Sequence, residues 1–229
     1  MTTNLWGTVL FGEVVDSRGS PRAATSWLES LCVTLDAAYA QQRLATFEFT
    51  QGDEIQGLLR HGADPFRAVL DATLRPHNGP GAVPHMRWVI AAGSVEPGHG
   101  PATRRTGDAF LTARALLEEA RSGRDGLLCR TGDAEADAYL DGTAPLLAAI
   151  IDDMTDRQRE VARLALLQGL RQSEIAYQLA VARPTVSISY ARGDVRNLGR
   201  LAGVVRELWA QGVGRAWRAT GHPSTGARS

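Results

Sequence analysis

The sequence predicts an α/β chain of two halves: an α+β, ferredoxin-like half whose mixed sheet carries its helices on one face, and an all-α half. Three observations predict it. Short aliphatic runs alternate with segments of helical periodicity up to about residue 130. Beyond residue 134 only the helical periodicity remains. The charge divides near the same place: residues 1–150 hold 13 Arg against 18 Asp and Glu, a balance of −5, and residues 151–229 hold 12 Arg against 7, a balance of +5. An acidic part joined to a basic part suggests that only the second meets a polyanion.

The first strand is LWGTVLFGEVV (5–15), short and aliphatic as a buried strand is. Ala24, Trp27, Leu28, Leu31, Cys32, Leu35, Ala38 and Tyr39 then recur at three- and four-residue steps, the mark of an amphipathic helix. LATFEFT (44–50) alternates outward and inward, and residues 51–54 turn it into IQGLL (55–59), a hairpin. Phe66, Val69, Leu70 and Leu74 define a second helix that ends near Pro76. A Gly/Pro-rich loop leads to the strand MRWVIAAGSV (86–95). Ala109, Phe110, Ala113, Leu116, Leu117 and Ala120 mark a third helix, and GLLC (126–129) a closing strand. Hairpins and right-handed crossovers fold the order β-α-β-β-α-β-α-β most simply as a ferredoxin-like layer. The expected division is an α/β domain over 1–135, a linker helix over 136–153, a helical domain over 154–213, and a disordered Gly/Ser/Arg-rich tail over 214–229.

Several classes drop out. No apolar run approaches the roughly 20 residues needed to span a bilayer, and the N-terminus lacks the basic region of a signal peptide, so a cytoplasmic location is expected. Cys32 and Cys129 lack CxxC spacing and read as small core residues. The five His are scattered without zinc-ligand spacing, and no P-loop or GxSxG pattern occurs.

In the basic half, RQSEIAYQLAVARPTVSISYA (171–191) reads as two short helices joined by a tight turn. Ala176 is the small residue where the second helix crosses close, Ile175, Leu179, Val181 and Val186 supply apolar contacts, and Pro184 suits a first helical turn. Upstream, Thr155 and Gln158 form a capping box and Gly169 ends the supporting helix. The run from Met154 to Arg196 resembles the helix-turn-helix pattern LT-x-x-Q-R-E-V…G-L-S-x-x-E-I-A-x-x-L of sigma-factor region four and LuxR-type DNA-binding domains. It departs at Ala180, where Gly is usual, and at Ala182, where a Ser cap is common. The resemblance implies sequence-specific binding of double-stranded DNA and transcriptional regulation. Arg183, Thr185, Ser187 and Ile188 would face base edges, and Arg171, Arg192 and Arg196 the phosphates. A helical hairpin that merely packs, and a surface that docks RNA polymerase, are the other readings of this run. The downstream stripe Leu198, Leu201, Val204, Val205, Leu208 and Trp209 packs on the helix-turn-helix in one reading and forms a homodimer seam in another.

In the acidic half, FGEVVDSRG (11–19) closes the first strand and TQGDEIQG (50–57) forms the hairpin tip, so Glu13 and Asp53 are expected at one sheet edge. Paired carboxylates there suit Mg²⁺ and the phosphates it carries. Together with RWVIAAG and GDAFLTAR, these segments resemble the SatD family and echo class III nucleotidyl cyclases and GGDEF domains. The resemblance implies a cyclase-like sheet followed by a helix-turn-helix. It places Glu13 and Asp53 as metal ligands, Glu54 as an auxiliary acid, and Arg18, Arg87 and Arg114 beside a nucleotide ligand. Glu13 stands where Asp is usual, and Leu111 and Thr112 where a transition-state Asn belongs. Three readings of the site follow: a metal-dependent nucleotidyl cyclase, a regulatory ligand site, and a structural remnant. The leading expectation is a DNA-binding regulator whose first half senses a ligand or mediates dimerisation.

Overall fold

In the computed structural model, which describes residues 5–15, 21–50, 53–76 and 84–221, alternation along a central strand sets the layers. The first half runs β1 (Leu5–Val14), α1 (Pro21–Ala38), β2 (Arg43–Phe49), β3 (Glu54–Arg60), α2 (Phe66–Thr73), β4 (Met86–Val95), a 3₁₀ turn (Ala102–Arg104), α3 (Asp108–Gly123) and β5 (Leu127–Arg130). Five helices follow without a strand, α4 (Ala134–Asp152), α5 (Asp156–Leu167), α6 (Gln172–Gln178), α7 (Arg183–Arg192) and α8 (Val195–Ala219). The protein is thus a mixed α/β molecule with a five-stranded sheet of order β2-β3-β1-β4-β5. The first four strands are antiparallel neighbours in the ferredoxin-like order, and β5 adds a parallel strand beside β4.

Successive strand residues point to opposite faces, and both faces are covered. Leu10, Leu59, Trp88 and Ile90 pack with α1, α2, α4 and α8, whereas Val9, Phe11, Leu58 and Val89 pack with α3 through Phe110, Ala113 and Leu117. The expectation of helices on one face is therefore corrected. Strands β3, β4 and β5 run the same way, and the chain moves in one direction across the sheet from β3 to β4 to β5. Since α2 and α3 lie on opposite faces, the two crossovers have opposite hands, and one takes the uncommon left hand. The face that α3 avoids is filled by α4 and α8, against which Leu127 and Cys129 of β5 pack.

The stretch 136–153, read as a linker, forms most of α4, and its Leu140, Ala144, Leu147 and Ile151 are buried in the same core as the sheet. Leu198, Val205 and Trp209 of α8 are buried there too, so this half of the stripe packs into the core of the molecule, whereas Val204 is 51% exposed. Arg159 of α5 ties the halves together. It is 2% exposed and donates from Nε to Met154 O (3.1 Å), from Nη1 to Thr73 O (3.0 Å) and from Nη2 to Asp152 O (3.0 Å).

A second correction concerns the C-terminus. Helix α8 continues through the start of the expected tail to Ala219, with Val213 and Ala216 buried. Arg215 donates from Nε and Nη2 to Asp133 (2.9 and 2.7 Å), whose other role is to cap α4 by accepting the Ala136 N–H. Those Arg215 bonds, with the Ala136 bond, hold the Asp133 carboxyl down to about 2. The remainder of the expected tail, 222–229, lies outside the described residues. Among the described residues no helix is long and apolar enough to cross a membrane, and both cysteines are buried and free, as core residues should be.

Candidate functional site

Register and alternation build the first site. Glu13 lies opposite Glu54 on β3 and opposite Arg87 on β4. Its neighbour two residues back, Phe11, shares the face covered by α3, so Glu13, Glu54, Gln56 and Arg87 gather on that face near one end of the sheet. Two carboxylates directly opposite each other repel. Here α3 supplies the compensation, because Arg114 and Arg121 stand two helical turns apart on one side.

The geometry is specific. Arg121 Nε donates to Glu13 Oε1 (2.9 Å) and Oε2 (3.1 Å), its Nη2 also reaches Oε1, and Arg87 Nη1 donates to Oε2 (3.0 Å). Arg87 Nε is anchored on Asp125 O (3.1 Å). Glu54 accepts from Arg114 Nη1 (2.7 Å) at Oε2 and from Gln56 Nε2 (2.6 Å) at Oε1. The Arg114 guanidinium also lies 4.7 Å over the Phe11 ring. Burial by itself pushes the Glu13 carboxyl up, but Arg121 and then Arg87 outweigh it and hold the group below the usual carboxylate range.

The hairpin residue opposite Glu13 is Glu54, whereas Asp53, the expected partner, lies beside Val14, whose N–H its backbone O accepts at 2.8 Å. The test of a divalent metal turns on the lone pairs. Mg²⁺ needs oxygen ligands at about 2.0–2.1 Å, yet both oxygens of Glu13 and of Glu54 already accept protons from cationic or amide donors. Among the described residues there is no group of three His, Cys, Asp or Glu side chains that could hold a metal ion. Glu13, with two donors on each oxygen, does not fit Mg²⁺ as it stands, whereas Glu54 accepts one bond on each oxygen. Arg87 and Arg114 do meet at the site, and Arg18 lies outside the described residues. Sequence reasoning missed Arg121, although its seven-residue spacing from Arg114 on a helical pattern was a usable signal.

A second site stands on the C-terminal helices. Thr155 accepts the Gln158 N–H and Gln158 Oε1 accepts the Thr155 N–H, completing the capping box of α5. Gly169 has φ +68, the left-handed conformation that ends such a helix. Val161 and Leu164 of α5, Ile175 and Ala176 of α6, and Val186 of α7 form a small buried cluster. The turn between α6 and α7 passes through Ala180 at φ +50, a conformation that costs a non-glycine residue about 1–2 kcal/mol. Beyond that turn, Pro184 occupies the first turn of α7, where no intrahelical N–H donor is needed.

On α7 only Val186 is buried. Arg183, Thr185, Ser187, Ile188 and Arg192 are all exposed, Ile188 at 52%. Arg171, which precedes α6, and Arg196, in the first turn of α8, are exposed as well. The seven residues singled out in this half therefore lie on open surface around α7 and its flanks.

No protein-family model matches the chain, and no curated protein matches it. Among solved structures the chain is similar to a bacterial light-regulated adenylyl cyclase, with 16% identity, 55% of this chain and 75% of that chain covered, and a TM-score of 0.41. A second structure of a bacterial light-regulated adenylyl cyclase aligns at 15% identity over 55% of this chain and 43% of that one, with a TM-score of 0.38.

Proposed function

We propose that this protein binds double-stranded DNA sequence-specifically through the outward side of α7 and acts as a transcriptional regulator. In this reading residues 154–213 engage DNA and the α/β half, 1–135, senses a ligand or mediates dimerisation. The observation that carries the reading is the openness of α7. Its ten residues expose a guanidinium at each end and Thr185, Ser187 and Ile188 between them, while Val186 holds the helix to its support. A helix of this length, about 15 Å, fits a major groove about 12 Å wide. Arg183 is suited to guanine O6 and N7, whereas Arg171, Arg192 and Arg196 are suited to phosphates. The +5 balance of residues 151–229 supports the same partner. Fluorescence anisotropy on duplex DNA across a salt series tests it. Binding should weaken steeply with salt, and Arg192→Ala or Arg196→Ala should each lower the slope by about one. No binding at low salt would remove DNA as the partner and leave a protein such as RNA polymerase.

The second reading is a metal-dependent nucleotidyl cyclase localised by its C-terminal helices. The meeting of Glu13, Glu54, Arg87 and Arg114 on one end of a ferredoxin-like sheet favours it. A metal would have to displace Arg121 from Glu13 first. Incubation with each nucleoside triphosphate and Mg²⁺ or Mn²⁺ separates the readings: cyclic product that disappears in Asp53→Ala establishes the enzyme, and its absence from the wild type excludes it.

A further inference from the structure

Between the loop that follows β3 and one side of α8 lies a cavity of about 380 Å³. Its size is within the range of about 300–1,000 Å³ typical of small-molecule sites. The walls are fixed by aromatic contacts. The His61 ring stacks on Trp217 (centroids 4.4 Å apart, 16° between planes), and Trp217 meets Trp6 edge-on. Opposite them, Trp209 is 3% exposed and packs edge-on against Phe66. Ala63 and Val213 complete a mostly apolar floor.

One charged group in this cavity has donors to spare. Arg206 places Nε 3.1 Å from Asp64 Oδ2, and Asp64 Oδ1 accepts the Phe66 N–H at 2.9 Å, so both oxygens of that carboxylate are engaged. Among the described residues neither terminal nitrogen of Arg206 has a hydrogen-bond acceptor. The other charged residue at the rim, Glu207, accepts from Gln211 Nε2 along the helix. A guanidinium oriented from its Nε side by a carboxylate presents its terminal N–H groups to an anion.

We propose that this cavity binds a small amphiphilic carboxylate, its acid group on Arg206 and its apolar body between the His61 ring and the Trp209–Val213 wall. The inference is independent of the DNA reading, because ligand binding is measured directly on the protein without DNA. It gives the α/β half and α8 a shared ligand, since the loop belongs to the sheet half and α8 follows α7 in the chain.

Titration calorimetry on the full chain tests it, with benzoate, phenylacetate and indole-3-acetate as probes, phenethylamine as the cationic control and benzyl alcohol as the uncharged one. At least one acid should bind saturably and more tightly than either control. Arg206→Gln should weaken that acid at least about tenfold, the loss expected for a charge-assisted contact. Gly203→Leu is the second variant, because a Cβ at Gly203 meets nothing within 4 Å and the larger side chain would occupy the cavity. It should abolish binding while circular dichroism shows an unchanged fold. The proposal is overturned if no acid binds saturably, if the amine binds as tightly as the acids, or if Gly203→Leu binds as the wild type does.

Discussion

Replacing Arg159 with methionine should destabilise the whole molecule by about 3–4 kcal/mol. Methionine keeps much of the buried stem but removes the guanidinium that serves Met154 O, Thr73 O and Asp152 O. Each buried carbonyl left without a donor costs about 1–3 kcal/mol. Two of the three sites, at the ends of α2 and α4, are part-buried, and water can offset some of that loss. The guanidinium is itself penalised by burial, which lowers its pKa, and the nearby Asp152 and Asp156 offset this only in part. Carbonyls at helix C-termini carry partial negative charge and help to stabilise the cation. Urea unfolding followed by far-ultraviolet circular dichroism reads the effect as a lower midpoint with an unchanged slope. Arg159→Lys should fall between, because one ammonium cannot span all three acceptors. A methionine variant within 1 kcal/mol of the wild type would refute the reasoning, since the three bonds would then contribute nothing net.

Three further outcomes are expected. Glu13→Gln should cost about 1–3 kcal/mol near neutral pH. The folded pKa of Glu13 is lowered from 4.5, so its contribution is present above that value and is lost as pH falls through the folded pKa; the midpoint gap between wild type and variant should close on acidification through this window. Ala180→Gly should raise stability by up to about 1 kcal/mol, because φ +50 is strained for alanine and free for glycine, and the urea midpoint checks it. Gly57→Ala should destabilise the fold by about 1–3 kcal/mol, seen as a lower urea midpoint, because the added Cβ would overlap the Phe47 ring.

The strands were legible because β1, β3 and β4 are aliphatic and alternate between two buried faces, as Leu10 and Phe11 do. The placement of α3 was not, since crossover handedness is a statistical preference and the competing helices α4 and α8 come later in the chain. The end of α8 was misread from its Gly and Arg content, although Trp209, Val213 and Ala216 continue its stripe at four- and three-residue steps. At the acidic cluster the carboxylates were found but their partners were not, because a pairing 108 residues apart, as between Glu13 and Arg121, has no local signature. Arg159 is similar: it sits between the partly or fully exposed Arg157 and Glu160, and only its three-residue step to the buried Ala162 marks it as inward. The capping box of Thr155 and the exposed side of α7 were legible, since both depend on short-range spacing alone.

The most direct measurement is selection of randomised duplex DNA by the purified chain, with sequencing of the recovered fragments, run in parallel on Arg183→Ala. A motif should be enriched by the wild type, and the variant should lose preference at one base position, by about 1–3 kcal/mol, while keeping the rest. If the wild type enriches no motif, or if both proteins recover the same one with equal preference at every position, the outward side of α7 does not read sequence.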